Sequence, residues 1–287
     1  MEGETHEKIF NRRDYHPYDD FRRLQAARAR IEFPSLEAKY NAQIGVYVLD
    51  TNNGREIAYK ADDRFAYCST HTIFSVGALL QRKSFDELNE LRIYSAEEIL
   101  PYSAITKAHV DEGLTVAEIC EAALRISDNT AANLVMEELG GIDAFRENLR
   151  AIGDTVTEPA RLEPELNIYN PGSLDDTSTP RQLAKDLQLY LLGDLLRDDK
   201  KILLASWMSD NAITDDFIKA GVPKDWKVLD KNGTGINYGT CNDIAVIFPP
   251  NKKPIVVAIM TRRNEAGARF DSALVADVAR MIFSAPK

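Results

Sequence analysis

Phe65-Ala66-Tyr67-Cys68-Ser69-Thr70-His71-Thr72 runs without a break into Ile73-Phe74-Ser75-Val76-Gly77-Ala78-Leu79-Leu80. The second half is apolar on nearly every side of a helix, the pattern of a helix buried all round. Hydroxyl side chains at the mouth of such a helix occupy a costly place for polar groups. Ser69 fits two roles there. It is a preferred N-cap residue, able to satisfy orphan N–H groups of the first turn. It also fits a nucleophile at the positive end of a buried helix dipole, where free backbone N–H groups can hold an oxyanion.

A chain of 287 residues with 44% hydrophobic side chains can bury a large core, as one domain or as two interleaved lobes. Its net charge of −10 speaks against nucleic acid or an anionic membrane as partner, since both reward basic patches. No apolar run approaches the roughly 20 residues of a membrane span. Met1-Glu2-Gly3-Glu4-Thr5-His6-Glu7-Lys8 lacks the apolar core of a secretory signal, so the chain reads as intracellular or as a mature form behind an added methionine. Three cysteines, an odd number, make no disulfide framework.

Around the opening stretch, Tyr18 to Phe33 places Phe21, Leu24, Ala27 and Ile31 at helical spacing. Gln43 to Asp50 alternates as a strand, Thr51-Asn52-Asn53-Gly54 is a turn that tolerates positive φ, and Glu56 to Lys60 returns as the second strand of a hairpin. Beyond Ser69, Ser84-x-x-Glu87, Ser95-x-x-Glu98, Thr115-x-x-Glu118 and Thr179-Pro180-x-Gln182 fit capping boxes and mark helix starts. Gly140-Gly141 separates two helices, the second running from Ile142 to Ile152. Thr155 to Thr179, with Pro159, Pro164, Pro171 and Gly172, reads as a long ordered loop. Strand texture returns at Lys227–Asp230, Asp243–Phe248 and Ile255–Thr261, and Asp271 to Phe283 closes as an amphipathic helix. Strands at both ends and helices between them predict an α/β lobe built from the termini, with a helical lobe inserted.

Three further pieces carry possible chemistry, and each has an ordinary structural explanation as well. Ser127-Asp128-Asn129 lies between two helices, where caps are expected. Glu163-Pro164-Glu165-Leu166-Asn167 lies in the long loop, where carboxylates are commonly solvated. Lys231-Asn232-Gly233-Thr234-Gly235 ends a strand, where glycine commonly marks a bulge or turn.

In this order and spacing the pieces resemble the class A serine β-lactamases, whose motifs are Ser-x-x-Lys, Ser-Asp-Asn and Lys-Thr-Gly with a loop glutamate. The resemblance extends over nearly the whole chain, through Tyr102, the run Ser127 to Asn133, Arg161-Leu162-Glu163, Asp176 to Thr179, Ala220-Gly221-Val222-Pro223 and Asn242-Asp243-Ile244-Ala245. It implies an α/β fold of α+β type: a five-stranded antiparallel sheet flanked by helices, plus an all-helical lobe. Residues 1–66 and 211–287 would form the first lobe and 67–210 the second, with the loop at 155–179, folding as one unit. It also implies an acyl-enzyme mechanism on a small-molecule β-lactam or related cyclic amide or ester, in a monomer without cofactor or metal.

By the same resemblance Ser69 would be the acylated nucleophile and Ser127 would relay a proton to the leaving nitrogen. Asn129 would hold the substrate amide, Glu163 and Asn167 would activate the deacylating water, and Lys231 would supply positive potential. The N–H groups of Ser69 and Thr234 would form the oxyanion hole, beside Gly235. Arg161 and Asp176 would pin the loop, and Tyr102 would wall the pocket mouth.

The departures from the family pattern cluster. Thr72 stands where the motif has lysine, one helical turn after Ser69 and on its face. Asn232 replaces the hydroxyl of Lys-Thr-Gly, and Cys241 stands where members carry arginine or threonine. His71, two residues from Ser69, is expected to point away from the nucleophile as a supporting residue. Cys68 and Cys241 are expected beside the pocket as free thiols, and with His71 they are too few for a metal site. A positioned base is worth about 10²–10⁴-fold and a bond to a charged carboxylate about 1.5–3 kcal/mol, so β-lactam turnover is expected to be weak. An acyltransferase or acyl trap with another substrate, and a non-catalytic binder, are the alternatives.

Overall fold

The computed structural model describes residues 33–209, 211 and 213–284. Except for Phe33, the expected helix from Tyr18 to Phe33 lies outside the described residues. A helical segment at 33–40 leads into the sheet.

Alternating apolar residues build strands β1 (Ala42–Asp50) and β2 (Arg55–Tyr59), joined by the Asn-Gly turn with Gly54 at φ +70. Strands β3 (Lys227–Thr234), β4 (Cys241–Phe248) and β5 (Ile255–Arg263) complete one antiparallel sheet in the order β2-β1-β5-β4-β3. The register pairs Val46 with Ile259, Asp243 with Ile259 across the next seam, and Thr234 with Cys241 at the outer one. The five-stranded antiparallel sheet implied by the family resemblance is therefore present.

Strand period two divides the core. Ile44, Val46, Val48, Ala245, Ile247 and Val257 pack with the segment at 33–40 and with the closing helix α7 (Ser272–Phe283). Tyr47, Leu229, Ile244, Val246, Ala258 and Met260 face the helices on the other side. At the centre of that second layer is α1 (Thr72–Arg82), buried from Thr72 through Leu80. Gly77 is required there, because a Cβ would lie 2.6 Å from the Tyr190 ring.

Around α1 stand α2 (Val116–Ile126), α3 (Asn129–Leu139), α4 (Gly141–Ala151), α5 (Pro180–Leu192) and α6 (Asp198–Trp207). Thr115 and Glu118 form a complete capping box, and so do Ser84 and Glu87, although the latter opens only the single turn Phe85–Leu88. Ser95 opens a 3-10 turn, not an α-helix. At α5 half of the expected box forms: Thr179 accepts from the Gln182 N–H, but the Gln182 amide turns to Asp186 at 2.8 Å.

The loop between α4 and α5 is ordered by one carboxylate. Asp176 is fully buried; its Oδ1 accepts from Tyr67 O–H and from the N–H groups of Ala160 and Arg161, and its Oδ2 from Arg161 Nε at 2.5 Å. Arg161 also donates to Ile168 O at 2.9 Å, and the pair Phe65–Ala66 joins Thr177–Ser178 as a short ladder. The loop is thus fastened to the segment that leads into Ser69.

Candidate active site

Cys68–His71 forms a 3-10 turn that α1 continues, and no side chain caps either start. Ser69 is therefore not an N-cap, and its hydroxyl is engaged elsewhere. Cys68 holds φ at +50, a left-handed conformation uncommon for a side chain of its kind. Bonds fix the turn from two directions. Asn242 Nδ2 donates to Ala66 O and Tyr67 O from β4, and Tyr67 N donates to Asp176 O in the loop. Strand β3 passes so close that a Cβ on Gly233 would fall 3.0 Å from Ser69 N and 2.9 Å from Thr70 N. Glycine here permits a close approach, not a bulge, and it sets the Thr234 end of β3 beside the Ser69 turn.

On the loop side, Ser69 Oγ donates to Glu163 Oε1 at 3.2 Å and Asn167 Nδ2 donates to Glu163 Oε2. The glutamate backbone is clamped by Asn133 on α3, whose Nδ2 donates to Glu163 O and whose Oδ1 accepts from Glu163 N, both at 2.9 Å. Burial pushes the Glu163 carboxyl up to about 7, against the bonds from Ser69 and Asn167 and the attraction of Lys231. A carboxylate with that value is well matched to proton transfer near neutrality.

On the strand side, the capping in Ser127-Asp128-Asn129 belongs to Asp128. It accepts from Ala131 N at 3.0 Å and from Ile105 N, Thr106 N and Thr106 Oγ1. Ser127 follows α2 at φ +55, and its Oγ accepts from Lys231 Nζ. Lys231 is wholly buried and also donates to Asn232 O at 2.9 Å and Asn232 Oδ1 at 3.4 Å. Burial pulls its ammonium down to about 8, against the pull of Glu163, Asp243 and Asp230. Asn129 Nδ2 donates to Pro101 O at 2.9 Å and Asn129 N to Tyr102 O at 3.1 Å. Tyr102 stands 88% exposed. Gly235 N donates to Thr240 O, and Ile236 N to Asn167 O, joining the end of β3 to the loop.

Two bonded groups thus result, Ser69–Glu163–Asn167 and Ser127–Lys231–Asn232, linked where Gly233 meets Ser69 N and where Ile236 meets Asn167. At the departing positions, Thr72 is buried and its Oγ1 has no hydrogen-bond partner. Cys241 does not line the groove as expected: it is buried in the apolar layer beneath α7, and burial keeps its thiol neutral. Cys68 is likewise fully buried, and both thiols are free. His71 does not turn away from the site, because its Nε2 lies 4.0 Å from Glu163 Oε1. Sequence reasoning gave no role to Asn133 or Asn242. Asn133 lies one helical turn beyond Asn129, which is a detectable spacing.

Residues 25–285 match the β-lactamase enzyme family model. The β-lactamase 3 of Bacillus cereus is 48% identical over 255 residues, covering 89% of this chain and 80% of its own length. A Bacillus subtilis β-lactamase is 44% identical over 253 residues, covering 88% and 82%. The crystal structure of a class A β-lactamase from Clostridium kluyveri superposes with a TM-score of 0.86 at 49% identity, covering 88% of this chain and 95% of that one. The chain therefore belongs to the class A β-lactamase family.

Proposed function

We propose that the protein is a serine acyl-enzyme hydrolase of β-lactams or related cyclic amides and esters, with Glu163 as the base for both half-reactions. The observation that carries this reading is the bond from Ser69 Oγ directly to Glu163 Oε1 at 3.2 Å. With Thr72 in place of an amine, the carboxylate is the base in contact with the nucleophile.

In acylation Ser69 Oγ attacks the carbonyl carbon and its proton passes to Glu163 Oε1. The oxyanion is held by Ser69 N–H and Thr234 N–H, a device in which one donor is worth about 10²–10³-fold. As the carbon–nitrogen bond breaks, Ser127 gives its proton to the nitrogen and regains one from the Lys231 ammonium that donates to it. Glu163 is then a neutral acid and Lys231 a neutral amine. Their values of about 7 and about 8 let the proton return to Lys231 at little cost, restoring the carboxylate. In deacylation Glu163, oriented by Asn167, takes a proton from water as it attacks the ester, and Ser69 leaves with that proton.

Without a dedicated amine, acylation runs slower by about 10²–10⁴-fold than in a site that has one. Tyr102 on the rim, Asn129 and Asn232 serve substrate binding. The unpartnered Thr72 hydroxyl favours a second reading, a binder whose serine is never acylated. Steady-state hydrolysis of a chromogenic cephalosporin separates the two. The proposal expects slow turnover that Ser69→Ala abolishes; equal rates in both proteins would refute it.

A further inference from the structure

His71 is 2% exposed, and neither ring nitrogen has a hydrogen-bond partner. Buried polar groups left unpaired are destabilising, so this one calls for a reason. Its ring lies between Tyr67 and Phe145, with centroids 5.6 Å and 6.1 Å away, a slot that phenylalanine would fill without any unpaired atom. What phenylalanine would lack is a donor. His71 Nε2 lies 4.0 Å from Glu163 Oε1, the same oxygen that accepts the Ser69 hydroxyl.

Burial, and after it the charge of Lys231, holds the imidazole down to about 3, so it is neutral and carries one ring proton. Facing a carboxylate oxygen, that proton belongs on Nε2. We infer that His71 is a positioning residue whose Nε2–H, aimed at Glu163 Oε1, keeps the carboxylate ionised and turned toward Ser69 in a site without the amine. The inference rests on Glu163 being the base proposed above.

The balance around Glu163 shows why a neutral donor suits the place. Burial drives the carboxyl toward its neutral form, and Asp176 adds to that push; Ser69, Asn167 and Lys231 oppose it. Tyr67 and Cys68, also close, stay un-ionised because burial raises both. An imidazolium would stabilise the ion so strongly that it became a poor base. A hydrocarbon would let the carboxyl take up a proton. A neutral N–H facing Oε1 from 4.0 Å, across the carboxylate from the Asn167 N–H bonded to Oε2, lies between these extremes.

The test uses the full chain with His71→Phe and His71→Gln, the latter keeping a terminal N–H donor. Nitrogen-15 NMR of labelled histidine should show His71 as the Nε2–H tautomer from pH 5 to 9, and carbon-13 NMR of labelled glutamate should follow Glu163 directly. In His71→Phe the Glu163 titration should move up by about one unit, which at pH 7 cuts the ionised fraction, and with it the acylation rate, about fivefold. Raising the pH toward 8 should recover part of the rate, His71→Gln should restore it at pH 7, and the Tm of His71→Phe should equal or exceed that of the parent. A purely structural histidine predicts the reverse, with acylation unchanged or improved by phenylalanine. An Nδ1–H tautomer, or a Glu163 titration unmoved in His71→Phe, would overturn the inference. Both NMR readouts are independent of turnover, so a protein that no β-lactam acylates would refute the proposed function while still deciding the role of His71.

Discussion

The two sides of Ser69 are built differently. On the loop side Glu163 has both carboxylate oxygens and both backbone groups hydrogen-bonded, and the loop that carries it is fastened by the buried Asp176. At the three departing positions the bonding is sparse: Thr72 has an unpartnered hydroxyl, Asn232 leans onto Lys231, and Cys241 has joined the apolar layer under α7. The loop side resists substitution because each residue there satisfies others: loss of Asp176 would strand Arg161, Tyr67 and two backbone N–H groups. The side chains at these three positions satisfy little beyond themselves, so a threonine or a cysteine fits the fold there. Fold and activity are separable on one side of the nucleophile and fused on the other.

The largest effect that can sharpen this contrast comes from returning the amine. Thr72→Lys should raise β-lactam turnover by at least about 10²-fold, since the loop machinery is in place and only a positioned base is added. A buried lysine can meet its desolvation cost by a lowered pKa, so the variant should fold. Steady-state hydrolysis checks it. No gain in a folded variant would mean that the strand side serves a different substrate.

A smaller gain is expected from the substrate-carboxylate side. Asn232→Thr should improve kcat/KM by about 10–10²-fold, the equivalent of about 1.5–3 kcal/mol for a bond to a charged group. Cys241→Arg alone should lower Tm, because the thiol is 1% exposed in an apolar layer. Thermal unfolding beside kinetics separates the two effects.

The smallest effect is in the pH profile, a matter of a few-fold. Activity needs Glu163 ionised and Lys231 protonated, so kcat/KM should peak between about 7 and 8. Stability from the same two groups runs the other way. Glu163 is raised from 4.5 to about 7, so the folded state holds the extra proton and its contribution falls as pH rises across that range. Lys231 is lowered from 10.5 to about 8, so its contribution recovers as pH rises from about 8 to 10.5. Their joint contribution is therefore poorest where activity peaks. Glu163→Gln should flatten the first slope in a melting series, and an unchanged slope would contradict the assigned burial.

How much of this is legible in the sequence follows the same division. The sheet is legible because period-two runs such as Gln43–Asp50 and Ile255–Thr261 match a surface packed on both faces, and the hairpin because Asn-Gly declares its turn. Ser69, Ser127, Glu163 and Lys231 are legible through motif spacing. The orientation of His71 is not, because its position two residues from Ser69 suggests the opposite direction in an ideal helix, whereas the real segment is a 3-10 turn with Cys68 at positive φ. The burial of Cys241 is hidden for a related reason. The strand legible in the sequence begins at Asp243, whereas β4 begins two residues earlier at Cys241, so the period-two face it shares with Ala245 and Ile247 is not read back to it.

In this site Glu163 alone is proposed to deprotonate Ser69. Time-resolved intact-mass spectrometry of the protein mixed with benzylpenicillin, beside Glu163→Gln, tests it most directly. A transient adduct on Ser69 is expected in the parent protein and, in Glu163→Gln, adduct formation slowed by about 10²–10⁴-fold. A Glu163→Gln protein that acquires its adduct as fast as the parent and then keeps it would show that another group activates the serine, and would contradict the claim.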